Sequence, residues 1–334
     1  MQKKLITLAA LLATSGAMAQ SSVTLYGVAD VGVGKNKYLG DPKVRMQSSS
    51  LLNTSDSYLG FRGVEDLGGG LKVGFNFEQA INLRDGSTDE RNPYRYTSTM
   101  WQRAANLWVG GNWGTFRLGR AFTPSRNAVA TWDVMGGANN SVVAWAYNRV
   151  GGNTDDRNSS QFSYKTPDLS GFSAEIGYVL KADNNDRSKV DLGLTYVNGP
   201  LRAGLAYNKT KNLKANYALG AQYSFGAFMV GAGYYNARNF VMHDNGVVVP
   251  NAAGRINGFS LGGRVNFGAA SVALDVARDT KSDYVLNGVT EKVKKHTNAV
   301  LEGRYSFSKR TFAYASYMRF AGTNNYIVGL RHDF

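Results

Sequence analysis

The chain is 334 residues long, carries 38 lysines and arginines against 24 acids for a formal charge of +14, and contains no cysteine. Its stability therefore cannot rest on disulfides. No stretch beyond the N-terminus approaches the roughly 18 consecutive apolar residues of a membrane-spanning helix, so an exported chain is either soluble or a membrane β-barrel.

Composition separates those two options. Thirty-nine glycines, six prolines, 12% aromatic residues and a mean hydropathy of −0.29 describe many strands carrying small residues and rings, without a greasy core. A membrane barrel sets such rings in girdles at both interfaces. A basic excess points to nucleic acid, anionic lipid or small anions. Export argues against nucleic acid, and the basic residues are interleaved with acids instead of forming one run.

Taken in order, the chain opens Met1-Gln2-Lys3-Lys4, continues with an apolar run from Leu5 and reaches the small-residue site Ala17-Met18-Ala19. That is the pattern of a secretory signal peptide over residues 1–19, leaving one exported domain, 20–334. From 22 to 35, Val23, Leu25, Gly27, Ala29, Val31 and Val33 alternate with Thr24, Tyr26, Asp30 and Gly34. Period two with one apolar face is a strand lying against an apolar phase. Residues 36–55 read as a polar loop and 56–67 as a returning strand. Gly68-Gly69-Gly70 turns, and Leu71, Val73, Phe75 and Phe77 face away from Lys72, Asn76 and Glu78. A second polar loop at 84–99 precedes strands at 103–113 and 114–121.

Residues 121–158 form the longest segment without strand alternation, and long ordered loops of this kind are usually functional. It is too apolar for a solvated lid, with Phe122, Val129, Trp132, Val134, Met135, Val142, Val143, Trp145 and Tyr147. Thr123-Pro124 suits a helix cap and first position, 125–133 continues it for about two turns, and Gly136-Gly137 ends it. Two readings stand at this point. Either the loop folds into a barrel and narrows it, with Arg120 and Arg157 at its edges deciding what passes, or it is a surface excursion with its own hydrophobic cluster.

Alternation resumes at 157–165 and runs on through turns at Pro167–Gly171, Asn198-Gly199-Pro200, Phe225-Gly226-Ala227 and Phe267-Gly268-Ala269, with polar loops expected at 237–254 and 279–296. The count is about sixteen strands, with short turns alternating with long loops, as in an outer-membrane barrel. The last strand places Tyr326, Val328, Leu330, His332 and Phe334 on one face and Ile327, Gly329, Arg331 and Asp333 on the other. In lipid it must pair with the first, because an open edge finds no hydrogen bonds there.

Four motifs then carry a resemblance: Gln20-Ser21-Ser22-Val23-Thr24-Leu25-Tyr26-Gly27, Tyr58-Leu59-Gly60-Phe61-Arg62-Gly63-Val64-Glu65-Asp66-Leu67-Gly68, Leu118-Gly119-Arg120, and Gly329-Leu330-Arg331-His332-Asp333-Phe334. In this order and spacing the chain resembles the general-diffusion porins of Gram-negative outer membranes, nearest the betaproteobacterial branch. The resemblance implies an all-β fold, a 16-stranded antiparallel transmembrane barrel with its third external loop folded inward, and a homotrimer in the cell outer membrane. The implied partners are outer-membrane lipid and lipopolysaccharide and small anionic and neutral solutes, with no cofactor, no nucleic acid and no catalytic or metal residue.

It also implies a ladder of basic residues opposite the loop, which falls by position on Arg62, Arg120 and Arg157. Arg62 is out of phase with Leu59 and Phe61 and so faces the lumen. Arg120 shares parity with Phe116 and Leu118 and reaches the lumen only through a bulge near Gly119. Arg126 lies in the loop itself, and Asp133 is the only acid between Ala121 and Thr154. A net-positive eyelet concentrates anions and disfavours cations. The expected function is passive transport of small hydrophilic solutes with anion preference, the alternative being a channel specific for phosphate or organic acids. Glu302, Arg304, Arg331 and Arg202 share lumenal parity and are expected to pair locally.

Other signals are weaker. Gly258-Phe259-Ser260-Leu261-Gly262 matches a nucleophile elbow but lies inside an alternating strand with no helix after it. His243, His296 and His332 are far apart, without the close spacing of a zinc site. Lys292-Val293-Lys294-Lys295-His296 reads as a solvated loop or as a contact to the anionic outer leaflet.

Overall fold

The computed structural model describes residues 22–38, 40–88, 100–148, 156–244, 247–286 and 289–334, so the expected signal peptide lies outside the described residues. The strands are β1 (Ser22–Asn36), β2 (Asp41–Ser48), β3 (Tyr58–Gly68), β4 (Leu71–Ala80), β5 (Ala104–Gly111), β6 (Gly114–Phe122), β7 (Arg157–Lys165), β8 (Phe172–Val179) and β9 (Lys189–Asn198). They continue with β10 (Leu201–Thr210), β11 (Asn216–Phe225), β12 (Phe228–Asp244), β13 (Val247–Phe267), β14 (Ala270–Leu286), β15 (Val289–Lys292), β16 (Thr297–Ser306), β17 (Thr311–Phe320) and β18 (Thr323–Asp333). Strand β2 pairs with β1 and strand β15 with β14, as short ribbons at the loop end. The other sixteen close an antiparallel barrel.

Closure is made by β1 against β18, from Val28 opposite Asp333 to Lys35 opposite Tyr326, and Gly27 and Phe334 exchange both backbone hydrogen bonds at 3.1 Å. The pleat sorts side chains as the alternation requires. In β1, Val23 and Leu25 are 69% and 54% exposed on the outside, whereas Asp30 is fully buried within. Outward rings form two bands, one with Tyr217, Phe259, Tyr317 and Tyr326 towards the long loops and one with Phe225, Phe228, Phe267, Tyr305 and Phe307 at the short turns. Gly226 and Gly268 take φ of 64° and 62° in the two Phe-Gly-Ala turns, a conformation in which a Cβ is strained.

The expected loops at 237–254 and 279–296 are largely strand instead, since β12 runs to Asp244, β13 begins at Val247 and β14 reaches Leu286. Strand β13 is 21 residues long, about twice what a tilted strand needs to cross the bilayer. Beyond the bilayer no lipid phase demands an apolar outer face, so the period-two pattern that marks a membrane strand is not required there. The polar stretch 36–55 is also more than a loop. It forms β2 and then turns into the barrel, where Leu51, Leu52, Asn53 and Ser57 are at most 1% exposed.

The hydrophobic core lies within the lumen. Leu51, Leu52, Trp132, Val142, Val143, Tyr147, Tyr235, Ile256, Val300, Met318 and Ile327 cluster there, contributed jointly by the first loop, the long loop and the inner wall.

Candidate functional site: a constriction built from two loops

The long loop forms a helix at Pro124–Trp132, where the sequence placed one. Thr123 caps it, its hydroxyl accepting the Arg126 N–H at 3.1 Å. Asp133 ends it, its carboxylate accepting the N–H groups of Met135 at 3.1 Å and Gly137 at 2.7 Å, with Gly136 and Gly137 at φ 67° and 72°. A second helix, Val142–Asn148, was not foreseen from the sequence. Its signal was Ser141, whose hydroxyl accepts the Ala144 N–H at 3.0 Å ahead of an apolar run, a serine N-cap.

The first helix lies on bare backbone. Gly193, Gly204 and Gly220 sit on the inner wall of β9, β10 and β11, and a Cβ at these positions would fall 2.3 to 2.4 Å from Pro124 O, Ala128 O and the Trp132 ring. Gly220 faces Gly233 of β12 in register, where a Cβ would again meet Trp132 at 2.4 Å. Only glycine permits this approach. Wall carboxylates hold the helix start. Asp191 accepts from Ser125 N at 2.7 Å and Ser125 Oγ at 2.6 Å, and Glu175 accepts from Asn127 Nδ2 at 3.0 Å. Negative charge is favourable there because the first-turn N–H groups are unpaired. Further along, Ser141 Oγ donates to Asp275 at 3.2 Å and Asn140 to Glu302 and Ser316.

The first loop is held by one carboxylate. Asp30 accepts from Asn53 Nδ2 at 2.9 Å, Thr54 N at 3.0 Å, Thr54 Oγ1 at 2.5 Å, Ser55 N at 2.9 Å and Tyr314 Oη at 2.6 Å. The two loops then meet. Asn139 donates its N–H to Thr54 O at 3.2 Å and its amide to Asp56 at 2.6 Å. At Tyr147, burial pushes the phenol above its usual range, so it stands neutral 3.4 Å from Ser260 Oγ.

Of the residues expected at the constriction, Arg62 stands on the lumenal face opposite Thr24 and Asn76, exposed, its guanidinium 5.0 Å from the Tyr26 ring. The row continues through Asn106 to Gly119, so Arg120 lies one residue above it, three strands away. A register shift does occur between Gly119, at φ 113°, and Ala121, while Arg120 donates to Gln102 O and to Ser159 Oγ at 2.9 Å. Arg157 is buried, donating to Asp156 at 2.6 Å and to Arg103 O at 2.8 Å. Arg126 reaches the same Asp156 at 3.9 Å, and both guanidiniums cover Phe122, at 4.0 and 4.1 Å. Asp133 is 4% exposed and committed to its turn. Arg304 pairs with Glu302, and Arg331 with Asp333 at 2.8 Å, as expected, whereas Arg202 is exposed with no hydrogen bond or ion pair among the described residues, against the expectation of local pairing.

Several arginines escaped the sequence reading, two of them beside the inward loops. Arg103 bridges Asp56 and, at 3.4 Å, Glu78. Arg117 faces the lumen in the row of Trp108 and lies 3.7 Å from Glu175. Its signal was present, since it is out of phase with Phe116 and Leu118, the same test that left Arg120 in difficulty.

A family model described as Gram-negative porin matches residues 7–325. The chain is 30% identical to outer membrane porin protein 32 of Delftia acidovorans, over 95% of this chain and 88% of that one. It is 28% identical to an outer membrane porin protein of Bordetella pertussis, over 99% and 100%. Among solved structures, the anion-selective porin from Comamonas acidovorans superposes with a TM-score of 0.71 at 26% identity, covering 94% of this chain and all of that one. Salmonella typhi OmpF superposes at 0.68 with 18% identity, over 93% and 97%, a likeness of fold. A closed 16-stranded barrel with a loop packed in its lumen, matched to these relatives along nearly its whole length, belongs to the Gram-negative porin family as an outer-membrane channel of the betaproteobacterial branch.

Proposed function

We propose that this porin is a general-diffusion channel with a preference for small anions and no enzymatic activity, exported by way of its residue 1–19 signal peptide and assembled as a homotrimer. The observation that carries the preference is the state of the charges. Asp133, Glu175, Asp191, Asp275 and Glu302 are at most 6% exposed, and Asp156 is shared by Arg157 and Arg126. Arg62 stands open, with no hydrogen bond or ion pair among the described residues. A permanently charged guanidinium in a narrow passage raises local anion concentration. Arg120, Arg126 and Arg157 add to the same field from the upper rim, and Asp133 is the minor opposing charge. The likeness to an anion-selective porin supports this reading.

The test is the reversal potential of the purified protein in a planar bilayer under a KCl gradient. An anion-signed potential with unsaturated conductance is expected. A cation-signed potential overturns the selectivity, and conductance that saturates with phosphate or an organic acid replaces general diffusion with a specific channel. Cross-linking of the native membrane tests the trimer.

A further inference from the structure

We infer that Trp108, on the lumenal wall of β5, is the stacking pad of a transient docking site for small aromatic carboxylates. Strand β5 alternates across the wall. Leu107 is 54% exposed on the outside, and Trp108, one residue on, faces the lumen. Its ring reaches over the neighbouring strand. A Cβ added to Gly74, on the inner face of β4, would fall 2.5 Å from Trp108 Cζ2 and 2.6 Å from Cε2, so the indole lies on bare backbone there. Glycine within a strand allows such an approach. One face of the ring is thereby covered, and the other is the face a passing solute meets. No ring stacks on it, and its N–H has no hydrogen-bond partner, among the described residues. The girdle rings of this barrel point outward, whereas this one presents apolar area to the water of the passage, which a planar solute would cover.

Two arginines flank the indole. Arg117 is its partner across the β5–β6 pair. Arg62 lies one strand and two residues from Gly74, about 8 Å between Cα atoms. Either side chain can reach an anionic group on a ring stacked over Gly74. The unpaired indole N–H and a guanidinium then supply donors for the two oxygens of a carboxylate. The acids of this wall are engaged or turned away. Asp66 is exposed but stands opposite Lys72, which offsets it, and Glu65 faces outward. Glu78 accepts the Tyr26 hydroxyl at 2.9 Å and lies 3.4 Å from Arg103. Glu175, 3.7 Å from Arg117, is 6% exposed and accepts from Asn127.

Depth and access suit the role. Trp108 and Arg117 pair three residues from the turn at Gly111 and Gly114, about 10 Å of strand from the short-turn rim. The long-loop helix packs on β9, β10 and β11, so Trp108 stands on a wall that this helix does not cover. Chloride and acetate have charge but no face to stack, and a saturated ring has bulk without a flat π-surface.

The inference rests on the anion-channel reading and names a solute class for it. The purified protein in a planar bilayer under KCl at neutral pH would be titrated with benzoate, cyclohexanecarboxylate and acetate, reading the concentration of each that halves the current. Benzoate is expected to act at about a fivefold lower concentration than cyclohexanecarboxylate, and acetate at a higher one than either. W108L should abolish the difference between the two ring acids, and W108F should keep part of it. Equal half-blocking concentrations for benzoate and cyclohexanecarboxylate in the parent, or an undiminished difference in W108L, would overturn the site. The comparison within the parent needs no variant and stands if W108L fails to fold. A cation-signed reversal potential overturns the anion reading whatever benzoate does, whereas an anion-signed potential without benzoate preference overturns this site alone.

Discussion

Replacing Asp30 by alanine should open the channel. Its carboxylate gathers five hydrogen bonds, three from the first loop's backbone N–H groups and hydroxyl at Thr54 and Ser55, one from Asn53 and one from Tyr314. The residue is fully buried, so D30A strands those donors where water enters poorly. Removing one partner of a buried charge-assisted network costs about 3–5 kcal/mol. The ladder between β1 and β18 is backbone and survives the change, so the loss falls on docking of the first loop. Leu51 and Leu52 then leave the lumen, and the Asn139 contacts to Thr54 and Asp56 go with them. Single-channel conductance should rise, and chymotrypsin should cut at Leu51 or Leu52, which are 1% and 0% exposed in the parent. D30N, which keeps the shape and some acceptor capacity, should lie between. A D30A barrel with parental conductance and an uncut first loop would refute the argument.

Changing Arg62 to alanine should lower the anion-to-cation permeability ratio in a salt-dependent way. An ion passing about 5 Å from a unit charge feels about 0.5 kcal/mol in water at 0.1 M salt, of opposite sign for anion and cation, which gives about a fivefold change in the ratio. At 1 M salt the change should fall below about twofold; reversal potentials at both concentrations check it, and R62K should behave as the parent. R117A should have a smaller effect than R62A in the same recordings, because Glu175 already lies 3.7 Å from Arg117. Gly220→Ala would place a Cβ 2.4 Å from the Trp132 ring and lift the helix towards the passage. Conductance should fall and the unfolding midpoint should drop with an overpacking cost of about 1–3 kcal/mol, which a parental conductance and midpoint would contradict.

How much of this was legible in the sequence follows from what periodicity can carry. Strand identity, lumenal parity at Arg62 and the helix after Thr123-Pro124 are local signals, and each was readable. The second helix had a serine cap that was passed over. The projecting hairpin of β12 and β13 was hidden because a strand beyond the bilayer need not alternate. The inward turn of residues 49–57 had no local signal at all. Ser49, Ser50, Asn53, Thr54 and Ser55 are the composition of a solvated loop, and what draws them inside is a carboxylate on a different strand and a tyrosine from β17, 261 residues further along than Asn53. The glycine row was visible only as abundance. Its alignment under the helix exists once Gly204, Gly220 and Gly233 come into register.

The same long-range pairings connect stability to selectivity. The basic excess in the sequence points to anions, but it does not say which charges reach the passage. The structure separates the two signs by job. Acids anchor the inward loops, Asp30 to the first and Asp191, Glu175, Asp275 and Glu302 to the long one, and this takes them out of solvent. A carboxylate is suited to that task because it accepts several N–H and O–H donors at once. Arginine only donates and keeps its charge, so those not needed to balance an anchor, with Arg62 foremost, remain facing water. On this account, a substitution that frees an anchoring acid does two things together. It loosens a loop and returns a negative charge to the passage. N127A should therefore weaken anion preference without touching any charged residue, by removing the Asn127 donor from Glu175, and S125A should do so less, because the Ser125 N–H still donates to Asp191 at 2.7 Å; a reversal potential equal to the parent's in N127A would break the link.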